Sequence, residues 1–509
     1  MTTLLVNARV LTMDDRRPRA EALAIRDGRI AAVGSREEVE RYRDRESDVI
    51  DLGGKSVLPG FIDPHNHFAI GALESFWADC RGARSIPEIQ QRLAEAARRT
   101  PDGEWVRGLG YDHHALAERR HPTRHDLDEA VPDRPALLLH YSHHQGVASS
   151  RALAAAGITR ATRDPAGGEI ARDRTGEPTG LLFERAMSGV ESRSREGWED
   201  RFVEVARRAS LAYAAHGLTT IEDAAVTPAM ARRYAEARER HALAIHVEEM
   251  MVGSDGWFER PGDAAPGRTL KLFVDGGYRC AMRVTRDGQE RTSGFLFYDR
   301  SELADVVAGA LAAGRRVTCH AIGNLGVERA VDAIGDALAR VPGGRGRVRI
   351  DHAIFLTGEL VRRIAGLGVP LVEQPSFLYD VGGMRPPPGV DVRPFRTVRR
   401  AGIRQAFSSD FPCGSLSPLV GIHAAVTRRS RSGEVESPDE ALGVHEALEA
   451  STIEAARVMG LEDDCGSLTP GKRADLIVLS AHPGDVPATE LLDLNVLQTW
   501  VSGLRVYPA

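Results

Sequence analysis

Lysine is almost missing from this chain. It occurs only at Lys55, Lys271 and Lys472; every other basic residue apart from histidine is Arg. A coding bias toward Arg explains the scarcity. It also singles out each surviving Lys, because a lysine amine can lose its proton and become a nucleophile, whereas a guanidinium stays charged. Cysteine is scarce as well. Cys80, Cys280, Cys319, Cys413 and Cys465 are odd in number and scattered, with no CxxC pair. That argues against a disulfide framework or a thiolate zinc site and for a reducing compartment. No apolar run approaches the ~20 residues of a membrane span. The start, Met-Thr-Thr-Leu-Leu-Val-Asn-Ala-Arg, lacks the basic head and long apolar core of a secretory signal. A formal net charge of −6 on 509 residues is mild and gives no electrostatic case for nucleic acid or an anionic membrane. The expectation is a cytoplasmic protein whose partner is a small molecule. As a soluble protein it has a dimer or tetramer as its default assembly.

What is present is an ordinary globular composition, 42% hydrophobic and 27% charged. The length calls for two or three structural units. Residues 1–55 read as short strands: Leu4 to Thr12, Ala22 to Ile25, a turn at Asp27-Gly28, then Ile30 to Val33. The far end reads alike, with Ala474 to Leu479, Val496 to Val501 and Leu504 to Tyr507. Neither end has enough strands for a sheet of its own. We therefore expect one β-sandwich domain composed of residues 1–55 and 463–509, with residues 56–462 inserted as a larger domain.

That middle alternates apolar strands with helical periodicity. Strands are expected at 57–62, 217–222, 243–249, 270–274, 316–320, 348–352, 369–374 and 404–408. Helices are expected at Glu199 to His216, Ala229 to Arg240, Glu302 to Ala313, Gly326 to Arg340 and Thr357 to Gly366. Eight strands with intervening helices predict an α/β fold, a (β/α)8 barrel. Residues 68–198 are too long for one connection. They hold strand candidates at Trp105 to Leu109 and Ala136 to Tyr141, and a hairpin signature at Gly168 to Gly176. We read them as an insertion over the barrel mouth. Segments 284–294, 381–394 and 428–440 read as loops.

The stretch Val57-Leu-Pro-Gly-Phe-Ile-Asp-Pro-His65-Asn-His67 places two histidines at i and i+2 at a strand end. On extended backbone both rings point the same way, which makes half of a transition-metal site. The ends of other strands supply Lys271, His320, His352 and Asp410. In a barrel these ends share one face. Four His, one Asp and one Lys there form a kit for two divalent metals if Lys271 is carbamylated. Two nearby cations need a bridging anion, and a neutral lysine amine that adds CO2 becomes one. The metals would lower the pKa of bridging water toward ~7. Asp410 would hold one metal, take the proton from the attacking hydroxide and pass it to the leaving nitrogen. Each part has a rival explanation: Asp410 as a turn cap before Pro412, Lys271 paired with Asp275, a lone His320 or His352 as an ordinary buried histidine. Joint placement on four strands favours the metal site over them.

At these residues the chain resembles the amidohydrolase superfamily. Gly60-Phe-Ile-Asp-Pro-His-Asn-His67 looks like its strand-one signature, and Gly466-Ser-Leu-Thr-Pro-Gly-Lys-Arg-Ala-Asp-Leu-Ile-Val-Leu479 like its C-terminal sandwich signature. Within it the chain is similar to the branch that includes N-substituted formamide deformylases and many uncharacterised hydrolases. Pro122 to Asp128, Gly167 to Asp173, Gly176 to Gly180, Lys271 to Gly276, His320-Ala-Ile-Gly, Gln374-Pro375 and Ser409-Asp410 carry that likeness. The resemblance implies the sandwich-plus-barrel architecture and a metal centre of His65, His67, His320, His352 and Asp410, with Lys271 as a carbamylated bridge.

The chain departs from the branch at Ser142-His143-His144, at Asn324, and at Phe377 after Gln374-Pro375. Phe377 implies a more apolar pocket. His144, Arg279, Gln374 and Phe377 are the candidate substrate contacts. The expected activity is hydrolysis of an amide C–N bond, using one or two divalent ions, zinc first, with Mn, Fe or Ni as alternatives. Action on a cyclic amide or an ester, deamination or decarboxylation at the same centre, and a non-catalytic binding role remain the alternatives. Deamination is disfavoured because Ala321-Ile-Gly-Asn, with no Glu, directly follows His320.

Overall fold

The computed structural model describes residues 2–253, 267–277, 279–286, 289–382, 384 and 386–508. At its centre lies a sheet of eight parallel strands taken in chain order: Phe61–Asn66, Leu218–Val226, His246–Met251, Thr269–Phe273, Arg316–Ala321, Val348–His352, Leu371–Glu373 and Gln405–Phe407. Each neighbouring pair is parallel. Past its last strand the chain returns to the first. Asp410 N–H donates to the His65 carbonyl at 2.9 Å, and Ser409 N–H donates to Asp63 Oδ1 at 3.1 Å. The sheet is thus a nearly closed barrel, as expected of a (β/α)8 fold.

The barrel strands are legible because parallel strands are covered on both faces and read as near-continuous apolar runs. All five expected helices form, as Phe202–Ala215, Pro228–Glu239, Arg300–Ala312, Asn324–Arg340 and Gly358–Leu367. Thr227 and Thr357 cap two of them by accepting from the N–H groups of Met230 and Leu360.

Two expected strands are each two strands. The run 57–62 divides at Gly60: Ser56–Pro59 belongs to a different sheet, and the barrel strand begins at Phe61. A Cβ on Gly60 would lie 2.2 Å from the Thr219 side chain, so the crossing needs glycine. The run from Leu4 to Thr12 divides at Asn7, whose φ of +53° turns the chain between Thr2–Val6 and Arg9–Leu11. These two strands lie in a four-stranded and a six-stranded sheet. In the six-stranded sheet Leu476–Leu479 pairs antiparallel with Ser56–Pro59, so strands from opposite ends of the chain are neighbours.

Between the first two barrel strands a third sheet forms from Ala78–Asp79, Val106–Tyr111, Ala136–His140, Gln145–Ala148, Gly168–Arg172 and Pro178–Glu184. It has its own core, including Ile89, Leu93, Val106, Leu127 and Leu138. The segment read as a loop at 284–294 contains a hairpin instead. Met282–Arg286 pairs antiparallel with Gln289–Ser293. Its second strand is polar and wholly exposed, so no buried face announced it.

Candidate metal centre

The first barrel strand ends in His65-Asn66 and runs straight into His67, and the three side chains do different things. Asn66 is fully buried and structural. Its Nδ2 donates to Asp63 Oδ2 at 2.8 Å and to Ser409 Oγ at 3.0 Å, and its Oδ1 accepts from the Tyr213 hydroxyl at 2.7 Å. His65 and His67 flank it and meet at Asp410. The Nε2 atoms of both lie 3.2 Å from Asp410 Oδ1. His67 Nδ1–H donates to the Ala224 carbonyl at 3.0 Å, which fixes the tautomer with the lone pair on Nε2.

His65 Nδ1 is 2.5 Å from Asp351 Oδ2. Asp351 Oδ1 accepts from Arg349 Nε at 2.9 Å, and Arg349 also donates to Glu222 at 2.8 Å and to the Pro64 carbonyl at 2.6 Å. Burial would raise the Asp351 carboxyl; the Arg349, Lys271 and His65 charges outweigh it and hold it far below the usual range. Lys271 Nζ lies 3.4 Å from Asp351 Oδ2 and from both ring nitrogens of His65. Burial pushes its ammonium down, against the pull of Asp351 and Asp410. The rival partner, Asp275, is occupied elsewhere: it accepts the N–H groups of Ala281, Ile322 and Gly323, each at 2.9 Å.

His320 and His352 complete the ring of imidazoles. Their ring centroids are 4.4 Å apart, and His352 is 4.8 Å from His65. His352 Nδ1–H donates to Gln374 Oε1 at 2.8 Å, and Gln374 Nε2 donates to Ser408 Oγ at 2.9 Å. Burial, then the His65 charge, pulls the His352 pKa down to about 3. The Nε2 atoms of His320 and His352 are buried without a hydrogen-bond partner. An orphaned buried lone pair costs about 1–3 kcal/mol, and a divalent ion is the partner that imidazole lone pairs facing a carboxylate would share. The ligand atoms of His65, His67 and Asp410 lie within 4.8 Å of one another. The donor set fits a divalent metal. Backbone strain is concentrated here too: His352, Ala353 and Asp410 adopt φ of +78°, +45° and +53°. Each such residue costs about 1–3 kcal/mol and persists only where its surroundings fix it.

His144 reaches this group from the inserted sheet. Its ring centroid is 5.5 Å from His320. Its Nδ1 is 2.8 Å from Glu184 Oε2 and 3.1 Å from the Gly277 nitrogen. A Cβ at Gly277 would lie 2.2 Å from the His144 ring, and one at Gly276 would lie 2.7 Å from Glu184 Oε1, so the Gly-Gly pair after Asp275 makes room for this histidine. Glu184 holds the ring from a strained backbone with φ +50°. The adjacent His143 is paired otherwise, with Nε2 3.6 Å from Glu74 Oε1.

The other substrate candidates are held elsewhere. The Arg279 guanidinium is 2.9 Å from Glu169 Oε2 and stacks over Phe183. Gln374 is engaged by His352 and Ser408, as above. Phe377 packs against a small apolar group of Ile322, Ile354 and Val392. Asn324 fastens the 282–293 hairpin, accepting from Arg283 N–H at 2.7 Å and donating to its carbonyl at 2.8 Å. Three residues that sequence reasoning passed over support the site: Asp63, Glu184 and Asp351. A signal existed for the last. Arg349 and Asp351 alternate with Val348 and Ile350, and two charges in a buried strand must be paired.

The profile of the family described as "Amidohydrolase family" matches residues 48–507. The chain belongs to the amidohydrolase family. It is a hydrolase of the type that acts on carbon–nitrogen bonds other than peptide bonds. This amidohydrolase is 34% identical to the N-substituted formamide deformylase of Arthrobacter pascens, over 99% of this chain and 98% of that one. It is 30% identical to the putative amidohydrolase YtcJ of Bacillus subtilis (strain 168), over 98% of each. In fold it is like an uncharacterized metal-dependent hydrolase from Pyrococcus horikoshii OT3. The TM-score is 0.75 at 24% identity, covering 96% of this chain and 99% of that one. Among the described residues, no helix is long and apolar enough to cross a membrane.

Proposed function

We propose that this amidohydrolase cleaves the amide C–N bond of a small molecule, with Asp410 as general acid and base. The observation that carries the reading is Asp410 Oδ1 set 3.2 Å from Nε2 of both His65 and His67, beside two buried imidazole nitrogens without hydrogen-bond partners. His65, His67, His320, His352 and Asp410 would hold one or two divalent ions, zinc first, with carbamylated Lys271 as the bridging ligand. Such ions polarise an amide carbonyl and lower the pKa of water toward ~7.

The chain's own groups do the rest. Burial would raise the Asp410 carboxyl; the two imidazoles outweigh it and keep it ionised well below its usual range. An ionised Asp410 accepts the proton of the attacking water and returns it to the leaving nitrogen. His144, gripped on Nδ1 by Glu184, is the candidate donor to the substrate carbonyl oxygen. Phe377 is the candidate apolar wall. We also read residues 1–55 and 463–509 as one composite β-sandwich domain and 68–198 as a lid on the 56–462 barrel. The pairing of Ser56–Pro59 with Leu476–Leu479 supports the first reading, and the His144 contacts support the second.

The test is a screen of N-formyl, N-acyl and cyclic amides against zinc- and manganese-loaded protein, with Asp410→Asn alongside. Amide hydrolysis that disappears in the variant is expected. Full turnover by the variant would remove Asp410 from the mechanism.

A further inference from the structure

Seventeen histidines serve this chain, and the centre described above employs five of them, counting His144. Four others gather at a place that reading leaves unused. His113 and His114 lie one residue past the strand Val106–Tyr111, after Asp112, and His140 ends the parallel neighbour Ala136–His140. His121 comes from the loop beyond. The His113 ring stacks on His121 with centroids 3.7 Å apart and lies 3.8 Å from His114 and 5.4 Å from His140. Asp112 adds a carboxylate: its oxygen and one ring nitrogen each of His113 and His140 all lie within 4.8 Å of one another.

We propose that Asp112, His113 and His140 form a second transition-metal site of the zinc class in the inserted sheet. Three arguments carry it. First, the ligands come from two separate backbone segments, which local sequence does not bring together by itself. Both lie at the C-terminal ends of adjacent parallel strands. Second, two imidazoles and one carboxylate make a three-residue set suited to zinc, with the fourth position left to water. Third, both rings are held in place. The His121 ring, itself 2.9 Å at Nδ1 from the Tyr111 hydroxyl, stacks on His113. The Ser142 hydroxyl is 2.9 Å from His140 Nδ1, and the Ser142 N–H donates to the same atom at 3.2 Å. His140 is buried while Asp112 is partly exposed, which leaves an approach from solvent. An ion here ties the ends of two strands just before the turn that carries His144, so its role is to stiffen the insertion where it meets the barrel.

The full-length protein tests this directly. After zinc loading and gel filtration into metal-free buffer, crystals are measured at the zinc edge. An anomalous peak within about 2.0–2.2 Å of Asp112 and His113 ligand atoms is expected. His113→Gln with Asp112→Asn should carry one zinc fewer per chain than the unaltered protein and keep the zinc held by His65 and His67. A filled barrel centre with no peak beside His113 would overturn the second site and leave the first intact. Unchanged zinc content in the double variant would overturn it as well, as would a peak seen only at millimolar zinc.

Discussion

Replacing Gly277 by Ala tests whether the position of His144 matters for the reaction. The added methyl would arrive 2.2 Å from the His144 ring, where ordinary contact begins near 3.4 Å. The ring must therefore retreat by roughly 1.2 Å, on the scale at which a misplaced group costs about 100-fold in rate. Gly277 is not among the residues with positive φ, so the substitution is steric and brings no backbone strain. Steady-state kinetics on an amide substrate should show kcat/KM reduced about 100-fold, with the barrel-centre metal content unchanged. Gly309→Ala is the control: it lies in the helix Arg300–Ala312, and nothing lies within 4 Å of its added Cβ. It should keep full activity and gain about 0.5–1 kcal/mol of stability. If Gly277→Ala retained normal kcat/KM while a crystal structure showed the ring displaced, His144 would have no part in the chemistry.

Further outcomes follow from the same contacts. Arg349→Met removes the cation that bridges the buried Asp351 and Glu222 and should cost about 3–5 kcal/mol in denaturant unfolding; a loss under 1 kcal/mol would contradict the role given to that network. Burial alone would lower the His144 pKa, but Glu184 overrides it and raises it, so their pairing stabilises the fold fully below about pH 6.5 and fades as pH rises through the raised value. Glu184→Gln should abolish that part of the pH–stability profile, and an unchanged profile would refute the pairing. Asp410→Asn should lower kcat by at least about 100-fold with little change in Tm, measured side by side on metal-loaded protein. Exhaustive chelation should abolish turnover, and zinc or manganese should restore it.

The barrel was legible because its strands are buried on both sides and its helices keep a 3.6-residue rhythm. Places where the chain changes sheet were not, since Gly60 and Asn7 interrupt runs whose apolar pattern continues across the break. The 282–293 hairpin was invisible for the opposite reason: its second strand buries nothing. At the site, His65, His67, His320, His352 and Asp410 stood out because each closes a strand. Their supports did not. Glu184 is a single carboxylate whose partner lies far off in the sequence; Asp351 has Arg349 two residues away, but only the closed barrel brings His65 to it. The His143-His144 pair shows the same limit. Adjacent identical residues point to different sides, and His144 reaches His320 while His143 turns to Glu74.

The junction at Gly60 has a bearing on how the protein is made. The strand bearing His65 is spliced, across that one residue, to a strand whose antiparallel neighbour, Leu476–Leu479, leaves the ribosome about 400 residues later. Until it arrives, Val57 and Leu58 border a bare, aggregation-prone edge. Synthesis that halts before Leu476 therefore yields a chain whose first barrel strand is anchored to an unfinished sheet, and such products should accumulate in inclusion bodies rather than as trimmed, working enzyme.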